Sequence, residues 1–250
     1  MNTAIRRDPR GADPLQLATG KSIVWAQNNR RSVLLVASLA VGLLAVILIG
    51  YGLYQRATNA AQAAFGDAMQ TYQTPLVRAD QAMPPGMKTF NTARERAAQA
   101  NAQFLDVANR HGLTEPGKLA LYFAGVNYEE AGQNGPAEET LKKTASSWNG
   151  DIAALGKMAL AELYQQTGRS GQAVALYQEL GKGHASTVPP GLAQLQLAAL
   201  YNAEGKTEEA RHIYAELKDH DKDAKGKASV AAQVATEKLN PTPTPALAPR

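Results

Sequence analysis

Residues 161–177 read AELYQQTGRSGQAVALY, and their frame recurs in GVNYEEAGQNGPAEETL at 125–141 and AALYNAEGKTEEARHIY at 198–214. The copies align as Tyr128, Gly132, Ala137, Leu141; Tyr164, Gly168, Ala173, Tyr177; and Tyr201, Gly205, Ala210, Tyr214. The internal steps are four, five and four residues, and the period is 36 and then 37. A fixed period of this size marks an architecture in which one small unit stacks on the next.

The flanks say what the unit is. Each tyrosine lies near the end of an apolar stretch with helical spacing: Leu121–Tyr128, Leu155–Tyr164 and Leu192–Tyr201. Start signals precede each stretch: Thr114 before Pro116, Asn149 or Asp151 before Ile152, and Ser186/Thr187 before Pro189 and Pro190. Each glycine closes a first helix, where a left-handed residue is needed. After a polar turn a second helix starts, with Glu138/Glu139 or Glu208/Glu209 expected in its first turn. Ala137, Ala173 and Ala210 let the paired helices approach closely. Leu141, Tyr177 and Tyr214 fill the groove between hairpins. One hairpin cannot bury its own apolar face, so hairpins stack.

With Gly125, Ala161 and Ala198 three residues before the tyrosines, this skeleton resembles the tetratricopeptide repeat (TPR) family. Leu121, Lys157 and Gln194 stand where that family has an early Trp, and its late Pro is missing. A degenerate copy is expected upstream. Ala100, Phe104, Val107 and Ala108 match the second helix, Ala57 to about Asp80 supplies the first, and Ala82–Gly86 (AMPPG) forces a loop between them. Lys225–Leu239 reads as a capping helix. Asn240–Arg250, with four prolines in 11 residues, reads as disordered or polyproline-like.

Working back, Val33–Tyr54 reads VLLVASLAVGLLAVILIGYGLY, 22 residues without a charge. About 20 helical residues cross a hydrocarbon core of about 30 Å. A buried core helix is the plainer alternative. A cleaved signal peptide is another, with Ala61-Gln62-Ala63 as its cleavage site, but its apolar region would run only about 7–15 residues. Arg30 and Arg31 abut one side, backed by Arg6, Arg7, Arg10 and Lys21, while Arg56 is the nearby base on the other. The positive-inside rule therefore puts the N-terminus in the cytoplasm. Tyr51 and Tyr54 suit one interface and Trp25 the other. Ser38 and Gly42 form a small-xxx-small pair that allows helix association, as small residues in spans commonly do.

Composition narrows the function. With no cysteine, disulfides, thiol catalysis, Cys-based zinc sites and iron–sulfur clusters are excluded. The net charge is +4, but residues 1–56, with seven Lys+Arg and two Asp, carry a net +5. Residues 57–250, with 19 Lys+Arg and 20 Asp+Glu, carry a net −1, which argues against a nucleic-acid-binding body. No HExxH, P-loop, GxSxG or GxGxxG motif occurs. Of the four histidines, only the run His220-Asp221-Lys222-Asp223 suggests a metal, and it reads better as a solvated helix end. The paired acids Glu129-Glu130, Glu138-Glu139 and Glu208-Glu209 read as solvated faces and dipole partners. The expectation is no enzyme, no cofactor and no metal.

The expected fold is all-α: one N-terminal transmembrane helix followed by an α-solenoid of TPR-like helical hairpins. The expected domains are a basic arm over 1–32, the span over 33–54, a TPR-like domain over 57–239 and a Pro-rich tail over 240–250. Hairpins fall at about 57–111, 115–148, 151–184 and 187–220, with a cap over 225–239. This layout resembles the bacterial ancillary subunit of the SecYEG translocon, over roughly residues 15–240, including the Trp25–Arg31 stretch before the span. The resemblance implies a bacterial inner-membrane protein with its C-terminal domain in the periplasm. It further implies an accessory role at the secretion pore and hand-off of emerging chains to periplasmic chaperones. A TPR adaptor for cell division or outer-membrane assembly is the alternative, and a homodimer through span or array stays open. The TPR resemblance implies a partner groove along the first helices. Carried over by position, it comprises Leu119, Tyr122, Val126, Glu129 and Glu130, then Leu155, Met158, Glu162, Gln165 and Gln166, then Leu192, Leu195, Ala199 and Asn202. The other reading of Leu155, Leu192 and Leu195 is core or a dimer seam.

Overall fold

A computed structural model describes residues 29–77, 89–222 and 226–240. It divides into two compact units, Met1–Arg56 and Ala57–Arg250. Among the described residues there are nine α-helices and no strand, so the chain is all-α as its sequence indicates. Helix α1 runs Arg30–Tyr72, giving the first unit its residues up to Arg56 and the second the rest. Among the described residues, α1 is the one helix long and apolar enough to cross a membrane, and none of its apolar window is buried in protein.

In the second unit, α1 is followed by α2 (Ala93–His111), α3 (Glu115–Glu130), α4 (Asn134–Ala145) and α5 (Gly150–Gln166). Helices α6 (Ser170–Leu180), α7 (Pro190–Ala203), α8 (Thr207–His220) and α9 (Val230–Leu239) complete it. Each helix from α2 onward packs chiefly on its sequence neighbours, as stacked hairpins must.

The repeated Tyr-to-Gly spacing has a local cause. Gly132, Gly168 and Gly205 take φ of 74°, 73° and 77°, the left-handed conformation that glycine adopts without cost. The residue after each glycine returns a hydrogen bond to the tyrosine carbonyl: Gln133 to Tyr128 at 2.8 Å, Arg169 to Tyr164 at 2.7 Å and Lys206 to Tyr201 at 2.9 Å. That is the Schellman closure of a helix. The Arg169 guanidinium then covers the Tyr164 ring at 4.4 Å, and the Lys206 ammonium lies 5.4 Å from the centre of the Tyr201 ring.

The small and large positions of the second helices are buried: Ala137, Ala173, Ala210, Leu141 and Tyr177 completely, and Tyr214 to within 4%. The core falls into three successive clusters. One joins α1, α2 and α3 around Phe104, Ala120 and Ala124. The largest runs from Ala137 to Leu200. The last joins α7, α8 and α9 around Tyr214 and Leu217. Full burial of a side chain of this size contributes about 1.5–3 kcal/mol.

Local starts and stops differ from the sequence reading in four places. The first helix of the degenerate copy ends at Tyr72, not near Asp80, because Pro75 lacks an amide hydrogen and Leu76 bridges to Phe90 instead. The AMPPG segment lies outside the described residues. Helix α4 starts at Asn134, so Glu138 and Glu139 stand in its second turn. Helix α7 starts behind Pro189 with no side-chain cap, while Ser186 and Thr187 both bond Asp151 of α5. The capping helix begins at Val230, where the Ser229 hydroxyl accepts from the Ala232 amide. Lys225, the basic arm up to residue 28 and the tail from residue 241 lie outside the described residues.

Candidate functional site

The first helices α3 and α5 bring part of the expected groove together. Gln166 Nε2 donates to Glu129 Oε1 at 2.7 Å, tying one hairpin to the next. Burial holds the Glu129 carboxyl above the ordinary range; the charge of Glu130 adds to this and the Gln166 hydrogen bond opposes it. Glu162 is raised too, by burial first and the charge of Glu129 second. Burial, then Glu162, then Glu129 push the Tyr122 hydroxyl up. Two half-buried carboxylates beside a tyrosine are short of counter-charge, and they can take N–H donors or a cationic side chain from a partner.

Other expected groove residues turn inward. Met158 is only 8% exposed and sits in the largest core cluster, so it offers no groove surface. Tyr122, Val126 and Leu155 are half-buried against that same cluster. Leu119 is half-buried on α3. Gln165 Oε1 accepts from the Tyr177 hydroxyl at 3.4 Å, and Asn202 Nδ2 reaches the Tyr214 hydroxyl at 3.5 Å, so the repeat uses both to satisfy buried tyrosines. Glu130 accepts from the Tyr72 hydroxyl at 2.7 Å; burial and that bond push Tyr72 up to about 12. Ala199 is exposed. Leu192 and Leu195 are set apart from the acidic cluster; they line a cavity of about 510 Å³ with Pro189, Pro190 and Val230.

Glu138 is not a solvated face. Its carboxylate meets Lys142 at 2.7 Å and Arg169 at 2.7 Å and accepts from the Tyr164 hydroxyl at 3.2 Å, joining α4 to α5 and to the turn before α6. Hydrogen bonds from Lys142 and Arg169 hold it well below the ordinary carboxylate range, at about 2. A depressed folded pKa stabilises above the unfolded value, and this contribution is lost as pH falls toward 2. Glu138→Gln is therefore expected to cost ~1 kcal/mol at neutral pH, after solvent screening. It should match the parent near pH 2, as paired thermal melts at the two pH values will show. A deficit of equal size at both would remove the charge from the account.

Two features escaped the sequence reading. Ala120, Gly156 and Ala193 form another small position at the same 36- and 37-residue steps, a signal present in the periodicity. All three are buried. Lys118 of α3 lies with its Nζ 3.4 Å from the centre of the Trp148 ring in the loop before α5, a contact that no spacing rule announces. Among the described residues no three His, Asp or Glu side chains gather where they could hold a metal ion. His220 ends α8, the Asp221 carboxylate accepts from the Ser229 hydroxyl, and Asp223 lies outside the described residues.

No family model matches the chain, and no curated protein or solved structure matches it significantly.

Proposed function

We propose that the chain is a non-enzymatic, single-pass membrane scaffold whose helical array receives protein partners. In this reading Val33–Tyr54 crosses the bacterial inner membrane, with the N-terminus cytoplasmic and the array periplasmic. The partners are the SecYEG translocon and the periplasmic chaperones or clients that meet chains emerging from it. The observation that carries the scaffold reading is the stack of hairpins with the half-buried Glu129 and Glu162 set beside Tyr122. These groups suit an extended segment bearing a cationic side chain. The uncharged stretch, with Arg30 and Arg31 before it, supports the anchor and its orientation. The layout resemblance is what supports the translocon.

Proximity crosslinking with mass spectrometry in native membranes tests the proposal. The full-length chain is compared with one whose residues 33–54 are replaced by an unrelated span. The expected result is that pore subunits crosslink to the native chain and disappear on the swap. If periplasmic partners persist in both and no pore subunit is found, the chain is an adaptor for another envelope process, such as cell division or outer-membrane assembly.

A further inference from the structure

Outside the apolar stretch, five large apolar side chains are exposed among the described residues: Val77, Leu113, Trp148, Leu192 and Val230. Four of them fall at the four successive junctions between a second helix and the next first helix. Leu113 (83% exposed) lies between α2 and α3, and Trp148 (80%) between α4 and α5. Leu192 is in the first turn of α7 and Val230 (76%) opens α9. Scattered surface leucines need no explanation, but one per junction along a single edge does.

Contacts between neighbouring junctions and the helix starts beside them show that the junctions form one row. Lys118, just past the first junction, meets Trp148 in the second. Asp151, beside the second, accepts from the Ser186 amide at 2.6 Å and hydroxyl at 2.9 Å in the third. Pro189, Pro190, Leu192 and Leu195 from the third, with Asp221, Lys222, Ser229 and Val230 from the fourth, line one cavity between them. Exposed bases accompany the row at Lys143, Lys182 and Lys222, and at Arg110, which pairs with Asp106 at 2.8 Å. Of the acids there, Asp151, Glu179 and Asp221 are engaged with Ser186, Lys157 and Ser229, while Glu115 and Asp219 stay open. The opposite edge, at the turns inside hairpins, carries exposed Glu130, Glu139, Glu204, Glu208 and Glu209, with exposed Lys206 paired to Glu204.

The row also lies at the end of the array where its chain begins. Phe65 faces Phe104 at 5.6 Å and Arg96 covers the Tyr72 ring at 5.6 Å, so α1 and α2 run antiparallel. Stepping back along both helices brings Thr58 level with Arg110 and His111. Ala57 follows Tyr54, the last residue of the uncharged stretch, by three positions.

We propose that this junction row rests on the surface of a lipid bilayer, with Trp148 at headgroup depth. Leu113, Leu192 and Val230 enter the interface beside it, and the bases meet lipid phosphates. Tryptophan favours that depth because its ring is apolar and its N–H polar, and lysine stems can lie along apolar surface with their heads in water. The inference rests on the reading that Val33–Tyr54 crosses a membrane.

The test uses the full chain carrying Trp25→Phe, which leaves Trp148 as the sole tryptophan. It is reconstituted into vesicles of phosphatidylethanolamine and phosphatidylglycerol, with and without bromine on the acyl chains, and flotation reports insertion of the span. The expected result is that Trp148 emission is quenched in the brominated vesicles. That quenching should be lost when Leu113→Ser, Leu192→Ser and Val230→Ser are combined in a chain with unchanged far-ultraviolet circular dichroism. A chain that floats with Trp148 emission equal in both vesicles overturns the inference and leaves the span reading intact. Trp148 shielded in native membranes but open in lipid vesicles also overturns it, and assigns the row to a protein. A chain that does not float overturns the span reading and the inference together.

Discussion

Phe104→Ala is expected to lower the unfolding temperature of the helical unit by several degrees or more. Phe104 is fully buried, stacks on Phe123 at 5.3 Å and 18°, and meets Phe65 at 5.6 Å and Tyr72 at 6.4 Å. Its other buried cluster neighbours include Ala68, Ala100, Ala120 and Ala124, methyl groups that cannot swing into a void. Removing a buried ring and leaving its cavity costs about 3–5 kcal/mol. For a domain of 150–250 residues each kcal/mol shifts the midpoint by about 2–4 °C, so the expected loss is roughly 6–20 °C. Stacked hairpins touch only their neighbours, so the damage should be local. Hydrogen exchange should show α2 and α3 losing protection while α8 and α9 keep most of theirs. Equal loss in all four would sink the idea of separable core clusters.

Gly156→Leu is the second large effect. A Cβ at Gly156 would stand 2.6 Å from the Ala145 amide nitrogen and 2.9 Å from the Thr144 carbonyl carbon, so backbone rather than a pliable side chain blocks it. Helices α4 and α5 must then separate, and overpacking of this kind costs about 1–3 kcal/mol, or more where backbone must move. Gly135, near the start of α4, has nothing within 4 Å of such an atom. Gly135→Ala should therefore stabilise by about 0.4–1 kcal/mol, through the lost freedom of the unfolded chain. Opposite shifts in the denaturant midpoint of the two variants are the expected outcome. A harmless Gly156→Leu would mean that the hairpins stack without that close approach.

What could be read from the sequence follows the range of the forces involved. The Tyr-to-Gly spacing was legible because the Schellman closure is a local rule, satisfied within six residues from Tyr128 to Gln133. The buried Ala137, Ala173 and Ala210 were legible because the same local requirement returns with a period. The start of α7 was not, because Asp151, 35 residues back, claims Ser186 as a hydrogen-bond donor. The surroundings of the expected groove residues were only half legible. Position along a first helix separates outward from inward faces but does not say who waits there. Glu130 bonds Tyr72, 58 residues away, and Gln165 bonds Tyr177, contacts that exist only once helices have packed. The repeat pattern weakens at the first hairpin, where Phe65 and Phe104 pack their rings with Phe123 of α3, three of the chain's four phenylalanines.

The connections divide into two kinds, with a consequence for how the molecule can be altered. The turns inside the last three hairpins, at 131–133, 167–169 and 204–206, are each three residues long. The junctions between hairpins, from 112–114 through 146–149 to 181–189 and 221–229, lengthen from three and four residues to nine. One edge is thus stereotyped and the other is elastic in length. An inserted epitope or fluorophore should be accommodated around Lys182–His184, and the same insertion next to Gly168 should not. Over evolutionary time, descendants of this chain have one margin along which to acquire new segments while the hairpins beneath stay as they are.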